Sequence, residues 1–318
     1  MSNREQLDAR LRDVVQHAVA NAPAVGARFA AAGLTASDIQ TVADLAKLPI
    51  FPKDELVQRQ AAEPPFGGFL GVPMSEIRHI YFSPGPLYEP GVEADDVVWD
   101  VAKETMKRAS FEPGDVVLNT FSYHLVPAGM LFDQALSQLG CIVVPGGVGN
   151  RELQLKMMGD LGVTGYAGTP SFLMQLIQKA EEMGLDFKQT FKLKKAVFSA
   201  EPLPPSLRAQ IEGYGIRVAN AYGTAEFGIL AMDTGQGPMP MAMRLLPEPI
   251  IEVLDPETGE PVASGTAGEV VVTNFSKVYP MLRLGTGDMA MNLDPNPGQS
   301  RQDERAIILV GRSGDAVK

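Results

Sequence analysis

Apolar residues near the start of the chain recur at the spacing of an amphipathic helix. Between residues 4 and 20 they lie three or four positions apart, at Leu7, Leu11, Val14, Val15, Ala18 and Val19. This period predicts a helix with one buried face. Residues 50–92 are then rich in proline and glycine. Because proline lacks an amide hydrogen and fixes φ, this region is predicted to form wrapped loops and short turns, without long helices or central strands.

Short β-branched runs alternate with helical patterns from residue 95 onward. Strands are predicted at 115–119, 141–145, 163–167, 195–199 and 216–220, and helices at 95–108, 127–138, 151–160, 171–183 and 205–212. Thr169-Pro170-Ser171 is a predicted helix start, with Ser171 as its cap. The alternation of strands and helices predicts an α/β fold in which a mostly parallel sheet is flanked by helices.

Beyond residue 235 the helical pattern ends. Strand patterns remain at 249–255, 268–274 and 306–310, and they predict a small antiparallel sheet or barrel-like subdomain. The expected domains are an N-terminal helix with a wrapping segment (1–94), an α/β subdomain (95–235), a β-rich subdomain (236–310) and a terminal segment (311–318).

The composition of the chain argues against several classes of binding partner and cellular location. The 318 residues carry a net charge of −11, which argues against nucleic acid and an anionic membrane surface. The single cysteine, Cys141, excludes an intrachain disulfide and predicts a reducing compartment. No apolar run approaches the ~20 residues of a membrane helix. A cytoplasmic protein is therefore expected.

Three glycine turns carry candidate binding residues. In A-Y-G-T-A-E (221–226), Tyr222 could stack on a purine, Thr224 could donate a hydrogen bond and Glu226 could hold Mg²⁺ through oxygen. In R-L-G-T-G-D (283–288), Asp288 could accept hydrogen bonds from two ribose hydroxyls. In G-R-S-G-D-A-V-K (311–318), Arg312 could meet ribose or phosphate. Taken alone, 221–226 favours an ordinary strand-ending turn with a solvated glutamate, and 283–288 is about equally consistent with a hairpin turn capped by Asp288.

Three further segments follow predicted strands. S-A-E-P-L-P (199–204) could present its backbone to an adenine edge, or it could simply start a helix. His124 could face a pocket, or it could be a hydrogen-bonded structural histidine. The glycine-rich segment 145–150 lacks both the dinucleotide-binding spacing and the P-loop lysine, so a turn is predicted there.

Taken together, these segments resemble the large N-terminal domain of the adenylate-forming enzymes, and within them the phenylacetate-CoA ligases. The motifs, in order, are L-A-K-L-P-I-F-P-K-D-E-L (45–56), T-P-S-F-L, S-A-E-P, A-Y-G-T-A-E, G-T-G-D and G-R-S-G-D. The resemblance covers about residues 40–318. It implies an enzyme that uses ATP and Mg²⁺ to convert a small carboxylic acid into an acyl-adenylate and pyrophosphate. Coenzyme A then displaces AMP to give the thioester.

The resemblance also implies roles for individual residues. Thr224 and the Mg²⁺ ligand Glu226 would be catalytic, and Asp315 would lie at an interdomain hinge formed by 311–318. The nucleotide-binding positions are Ser83, Gly85, Ala200, Glu201, Pro202, Ala221, Tyr222, Gly223, Asp288 and Arg312. The acid-pocket positions are Tyr123, His124, Leu125 and Gly147. An aryl acid such as phenylacetate is the expected substrate, and a homodimer is the expected assembly.

The chain departs from the family pattern in several places. The phosphate loop, roughly S-S-G-T-T-G-x-P in the family, reads S-P-G-P-L-Y-E-P at 83–90, which lacks both threonines and the usual basic residue and adds Glu89. Weaker binding of ATP is therefore expected. Ala225 stands where Ser or Thr is common, and Gly314 stands where the hinge often has Asp. The family's C-terminal domain, with its catalytic lysine, follows the hinge, so a fragment with impaired activity is expected.

Two other functions are also consistent with the sequence. The altered phosphate loop suits a nucleotide- or acyl-adenylate-binding module without ligase activity. A nicotinamide-dependent oxidoreductase would suit the α/β pattern, although the dinucleotide fingerprint is missing. The acid is equally open, because apolar residues could either shape a pocket or belong to the core: Met130, Phe132, Tyr166 and Phe172.

Overall fold

The structure is a computed structural model that describes residues 3–91, 96–233, 235, 239, 241–297 and 300–312. It divides into two compact units, and each is described by itself. The first unit comprises residues 1–98 and 247–318, and the second comprises residues 99–246.

The first unit contains the N-terminal helices and an antiparallel sheet. Its helices are α1 (Asn3–Asn21), α2 (Pro23–Ala31) and α3 (Lys53–Ala62), with short 3₁₀ helices at 36–38, 42–47, 74–76 and 302–304. Its strands are β1 (Phe51–Pro52), β2 (Ile80–Ser83), β3 (Leu87–Pro90), β11 (Ile250–Leu254), β12 (Ala267–Thr273), β13 (Leu284–Asn292) and β14 (Ala306–Arg312). Strands β11 to β14 pair antiparallel in chain order, which confirms the predicted β-rich element. The predicted N-terminal helix is also confirmed, because Leu11, Val14 and Val15 are buried on one face of α1.

The proline-rich region is more regular than the sequence predicted. Residues 53–62 form the ten-residue helix α3, so the expectation of loops and short turns is wrong there. The physical reason is that the prolines flank this stretch: Pro52 is the N-cap and Pro64 follows the last turn. Residues 80–90 form the hairpin β2–β3, in which Pro84 and Pro86 occupy the turn and not the ladder.

The second unit contains an α/β sheet with helices. Its first residue, Trp99, lies within α4 (Asp96–Arg108). Its helices are α5 (Ala128–Leu139), α6 (Arg151–Asp160), α7 (Pro170–Glu182), α8 (Phe187–Thr190) and α9 (Pro205–Gly213). Its strands are β4 (Val116–Asn119), β5 (Ile142–Pro145), β6 (Gly165–Gly168), β7 (Lys195–Phe198), β8 (Arg217–Thr224), β9 (Gly228–Asp233) and β10 (Met243–Leu245). The order across the sheet is β10-β9-β8-β7-β6-β4-β5. Strands β4 to β8 are parallel, as predicted, and β9 returns antiparallel to β8.

Both faces of this sheet are covered, because side chains on alternate strand positions pack into two different cores. Leu118 and Phe198 contribute to one core, and Val117 and Val197 contribute to the other. Successive residues of a strand point to opposite faces, so this alternation places helices on each side. Phe132 and Tyr166, which the sequence left open as pocket residues, are buried in these cores.

One predicted cap is wrong. The side chain of Thr169, and not of Ser171, caps α7, since its Oγ1 accepts a hydrogen bond from the amide of Phe172 at 3.3 Å. Pro170 occupies the first helical position, where its missing amide hydrogen costs nothing. Separately, none of the helices in the described ranges is long and apolar enough to span a membrane.

Candidate active site

Buried polar atoms lie in the second half of strand β8 and directly after it, and some of them have no hydrogen-bond partner. The Asn220 Oδ1 and Thr224 Oγ1 atoms are buried and have no hydrogen-bond partner, and both carboxylate oxygens of Glu226 are buried. Nearly all buried polar atoms in proteins are hydrogen-bonded, so unpaired ones at the end of a strand indicate a ligand surface. Asn220 was not among the candidate residues predicted from the sequence. The available signal was a polar residue within an otherwise apolar strand, directly before A-Y-G-T.

Gly223 lets the β8–β9 hairpin close tightly beside these atoms. A Cβ atom on Gly223 would lie 2.4 Å from the carbonyl oxygen of Gly228, closer than any side chain tolerates. The ladder also shifts register between Tyr222 and Gly223. The neighbouring Tyr222 and Ala221 are both buried. Glycine at this position therefore fixes where the following Thr224 and Glu226 stand.

The predicted adenine segment follows the neighbouring strand β7. Ala200 adopts a left-handed conformation with φ of 70°, which is strained for a residue with a side chain. The carboxylate of Glu201 accepts hydrogen bonds from the Ser171 hydroxyl at 2.8 Å and the Ser171 amide at 3.3 Å. Pro202 is exposed. Since β7 and β8 are adjacent and parallel, their carboxyl ends bring residues 200–202 and 222–226 to the same edge of the sheet.

The predicted acid-pocket residues follow β4 and β5. The Tyr123 hydroxyl donates to Asp133 Oδ2 at 2.7 Å and accepts from Asn119 Nδ2 at 2.8 Å. Burial and the Asp133 carboxylate raise the pKa of Tyr123. The ring atom Cδ2 of Tyr123 lies 4.0 Å from where a Cβ on Gly147 would stand, and the Gly147 amide donates to the Asn119 carbonyl at 3.0 Å. The structure therefore places Tyr123 and Gly147 together.

The two remaining acid-pocket candidates are exposed. His124 lies on the surface, and Leu125 is 73% exposed with a left-handed φ of 62°. Neither makes the buried contacts that hold Tyr123. Asn119 and Asp133 were not predicted from the sequence, because their contacts with Tyr123 depend on the path of the intervening loop.

In the first unit, Asp288 forms an ion pair with Arg312. The Asp288 Oδ1 and Arg312 Nε atoms are 3.3 Å apart, and the side chain of Asp288 is 16% exposed. Beneath this turn, Glu269 Oε1 accepts a hydrogen bond from the Gly287 amide at 2.9 Å. Burial raises the pKa of Glu269, and the nearby negative charge of Asp288 raises it further. Glu269 thus supports the turn that carries Asp288.

The predicted phosphate loop is the turn of the β2–β3 hairpin, also in the first unit. Ser83 is buried, and its hydroxyl donates to the Leu87 carbonyl at 3.4 Å. Gly85 stands at the tip, between Pro84 and Pro86. Asp315, the predicted hinge residue, lies outside the described residues.

The residues present are compatible with Mg²⁺ bound together with a nucleotide. Within the described parts of the chain, no group of three or more His, Cys, Asp or Glu side chains could hold a metal ion. Mg²⁺ in nucleotide sites commonly takes one or two carboxylates and completes its shell with phosphate oxygens and water. A single buried carboxylate such as Glu226 fits that mode of binding.

Comparison with known proteins shows the family. Residues 92–276 match the model of the AMP-binding enzyme family. The chain is 32% identical to the phenylacetate-coenzyme A ligase of Pseudomonas putida, over 97% of this chain and 70% of that protein. It is 31% identical to the corresponding ligase of Aromatoleum evansii, again over 97% of this chain and 70% of the relative.

A solved structure agrees in fold. The crystal structure of 2-hydroxyisobutyryl-CoA ligase in the postadenylation state, in complex with 2-HIB-AMP, superposes with a TM-score of 0.88 at 27% identity. The match covers 99% of this chain and 69% of that one. With the sequence matches, this confirms the resemblance that the ordered motifs predicted. The chain belongs to the phenylacetate-coenzyme A ligases of the AMP-binding enzyme family, which are ATP-dependent acid–CoA ligases.

Proposed function

We propose that this ligase activates an aryl carboxylic acid, such as phenylacetate. The acid's carboxylate oxygen attacks the α-phosphorus of ATP, pyrophosphate leaves and an acyl-adenylate forms. The thiol of coenzyme A then attacks the acyl carbon, loses its proton and displaces AMP. The chemistry requires little covalent help from the protein, so positioning and charge neutralisation carry the catalysis.

The observation that carries the choice of acid is the hydrogen bonding of Tyr123. Its hydroxyl already forms hydrogen bonds with both Asn119 and Asp133. The apolar ring beside Gly147 is therefore the part of Tyr123 that would contact the acid. Gly147 brings no side chain of its own to that space. An apolar, flat acid suits a ring-lined space better than a hydroxy acid, which needs a polar partner.

The roles in binding ATP and Mg²⁺ are assigned to individual residues. Tyr222 and residues 200–202 would contact adenine, Asp288 would accept from the ribose hydroxyls, and Arg312 would contact ribose or phosphate. Glu226 would hold Mg²⁺, which neutralises phosphate charge as pyrophosphate departs. Thr224 Oγ1, buried without a hydrogen-bond partner, is a donor available to the α-phosphate.

The proposal also includes a cytoplasmic homodimer. The lone cysteine in 318 residues supports a reducing compartment. The dimer rests on the family resemblance alone. Light scattering coupled to gel filtration measures the assembly, and a monomeric mass at micromolar concentration would contradict it.

Exchange of labelled pyrophosphate into ATP tests the acid, because it reports adenylation without the thioester step. Phenylacetate is expected to support exchange at least about tenfold faster than 2-hydroxyisobutyrate or acetate. Faster exchange with the hydroxy acid would overturn the aryl assignment. No exchange with any acid by the full-length protein would overturn ligase chemistry.

A further inference from the structure

The loop at residues 145–150 joins β5 to α6 and carries Gly147, which lies beside the ring of Tyr123. Gly147 and Gly149 have φ values of 59° and 116°, a region that favours glycine over residues with a side chain. Glycine also has the greatest backbone freedom of any residue, so the sequence of the loop does not fix its path. Contacts from neighbouring elements are therefore needed to hold the loop next to Tyr123.

The side chain of Gln154 supplies two of these contacts. Its Nε2 atom donates to the Gly147 carbonyl at 2.8 Å and to the Gly146 carbonyl at 3.3 Å. On the other side, the Gly147 amide donates to the Asn119 carbonyl at 3.0 Å, and Asn119 Nδ2 donates to the Tyr123 hydroxyl at 2.8 Å. Gly147 is thus held at both its amide and its carbonyl, and the same set of contacts includes Tyr123.

Gln154 is itself held by a packed helix. It is 3% exposed, and the α6 residues Leu155 and Met158 are buried in the core on this side of the sheet. The start of α6 is capped by Asn150, whose Oδ1 atom accepts from the Leu153 amide at 3.1 Å. A side chain on a packed helix holds its partner more precisely than one on a mobile loop. The position of the Gly146 and Gly147 carbonyls therefore follows from the packing of α6.

The two carbonyls also determine which way the Gln154 amide faces. The opposite orientation would place its oxygen against two other oxygens that have no hydrogen to donate. In the orientation that remains, Gln154 Oε1 is buried and has no hydrogen-bond partner among the described residues. An unpaired buried acceptor lowers the stability of the fold, so stability alone does not account for glutamine at this position.

We propose that Gln154 is a positioning residue of the acid pocket, which fixes the Gly146 and Gly147 carbonyls and so sets the space beside the Tyr123 ring that takes the aryl group. The inference rests on the proposed function, in which Tyr123 and Gly147 line the acid pocket. Gln154 acts through the loop and not by contact with the acid. Its loss should therefore alter the fit of the aryl group and leave the binding of the nucleotide unchanged.

Calorimetric titration with three ligands tests this role. They are AMP and two acyl-adenylate analogues in which a sulfamate replaces the phosphate, one phenylacetyl and one acetyl. Gln154→Met keeps the length of the side chain and removes the donor. It is expected to weaken binding of the phenylacetyl analogue about tenfold, because small displacements of a pocket wall are costly for a ligand that fills it. AMP and the acetyl analogue, which lack the aryl group, should bind within about twofold of wild type.

Asp186→Ala is the matched control for general destabilisation in the same unit. Asp186 caps α8, since its Oδ1 atom accepts from the Gln189 amide at 3.1 Å, and it lies outside the loop. Loss of this cap should lower the melting temperature by about 2–4 °C and leave the affinity for all three ligands unchanged. A selective loss of the phenylacetyl analogue in Asp186→Ala would overturn the proposal, because the pocket would then respond to any loss of stability.

Equal weakening of all three ligands by Gln154→Met would indicate a structural role and overturn the proposal, and unchanged binding of the phenylacetyl analogue would do so as well. If Gln154→Met does not fold, Gln154→Glu replaces it, because the carboxylate has the same size and repels the two carbonyls. The same selective loss is expected, and its absence would contradict the inference. The wild type separates the two claims. If it does not prefer the phenylacetyl analogue to the acetyl one, the proposed aryl acid is wrong. If it does and the Gln154 variant keeps that preference, this inference alone is wrong.

Discussion

The side chain of Asn220 contains a buried polar atom for which we predict a role in ligand binding. Its Oδ1 atom has no hydrogen-bond partner in the described structure, and such an acceptor costs about 1–3 kcal/mol of stability. A cost of that kind is commonly retained where a ligand satisfies the atom. Asn220 is therefore expected to lower the stability of the folded protein and to strengthen its binding of adenine nucleotides.

The substitution Asn220→Ala tests both effects. AMP affinity should fall about tenfold, whereas the free energy of unfolding should stay unchanged or rise. Asn274→Ala is the control, because the Asn274 side chain donates to the Tyr279 carbonyl and accepts from the Met281 amide. It should lose about 1 kcal/mol of stability and keep its AMP affinity. Calorimetry and urea unfolding measure both quantities, and unaltered AMP binding by Asn220→Ala would remove Asn220 from the site.

Glu269 gives a prediction about pH. Burial, and then the charge of Asp288, raise the pKa of Glu269 in the folded protein. A raised folded pKa means that its contribution to stability is present below the unfolded value of about 4.3 and is lost as pH rises through the folded pKa. Glu269→Gln removes this loss and keeps an acceptor for the Gly287 amide. The variant should gain stability relative to wild type as pH rises from acid to neutral, and a constant difference across that range in urea unfolding would contradict the assignment.

Tyr222, Glu226 and Asp288 were chosen as candidate site residues because aromatic and acidic side chains adjoin glycine turns there, and their binding roles stay predictions. The Tyr123 contacts with Asn119 and Asp133 were not predictable, because they depend on a loop in which Leu125 adopts a left-handed conformation. Ser171 was chosen over Thr169 as a cap because the two hydroxyls flank Pro170 and local sequence does not separate them.

At the scale of elements, the β8–β9 hairpin depends on one close backbone approach. A Cβ on Gly223 would stand 2.4 Å from the Gly228 carbonyl oxygen. Gly223→Ala must therefore shift the hairpin that carries Tyr222 and Glu226. We expect a loss of about 1–3 kcal/mol of stability together with weaker nucleotide binding.

Gly213→Ala is the matched control for that substitution. Gly213 ends α9, and nothing lies within 4 Å of the position its Cβ would take. Alanine in a helix should raise stability by up to about 1 kcal/mol without affecting nucleotide binding. Thermal unfolding and calorimetry distinguish the pair. Equal behaviour of the two variants would show that the backbone approach at Gly223 is unimportant.

Elements with a clear period were predicted almost to the residue. The strand at β7 and the helix at α6 follow the predicted bounds closely, because alternating or helical apolar patterns identify them. Helix α3 was not predicted, because the many prolines on either side of residues 53–62 led to a prediction of loops for the whole region, although this stretch contains no proline. Strand β9 was missed because G-I-L-A-M-D is a continuous apolar run, which periodicity alone cannot assign.

At the scale of the whole molecule, one unit contains mostly parallel strands flanked by helices, and the other contains mostly antiparallel strands. The sequence order of the motifs predicted the family, and the matches to phenylacetate-coenzyme A ligases confirm it. The chain spans about 70% of those relatives. The acid, in contrast, depends on the shape of one pocket and is not encoded in any short motif.

The central claim is that the carboxylate of the acid attacks the α-phosphorus of ATP. Phenylacetate carrying heavy oxygen in its carboxylate tests this directly when it is incubated with the purified protein, ATP, Mg²⁺ and coenzyme A. Mass spectrometry should find one labelled oxygen in AMP, because the attacking oxygen stays on phosphorus when the thiol displaces the adenylate. Label-free AMP, or label in pyrophosphate, would contradict acyl-adenylate chemistry in this protein.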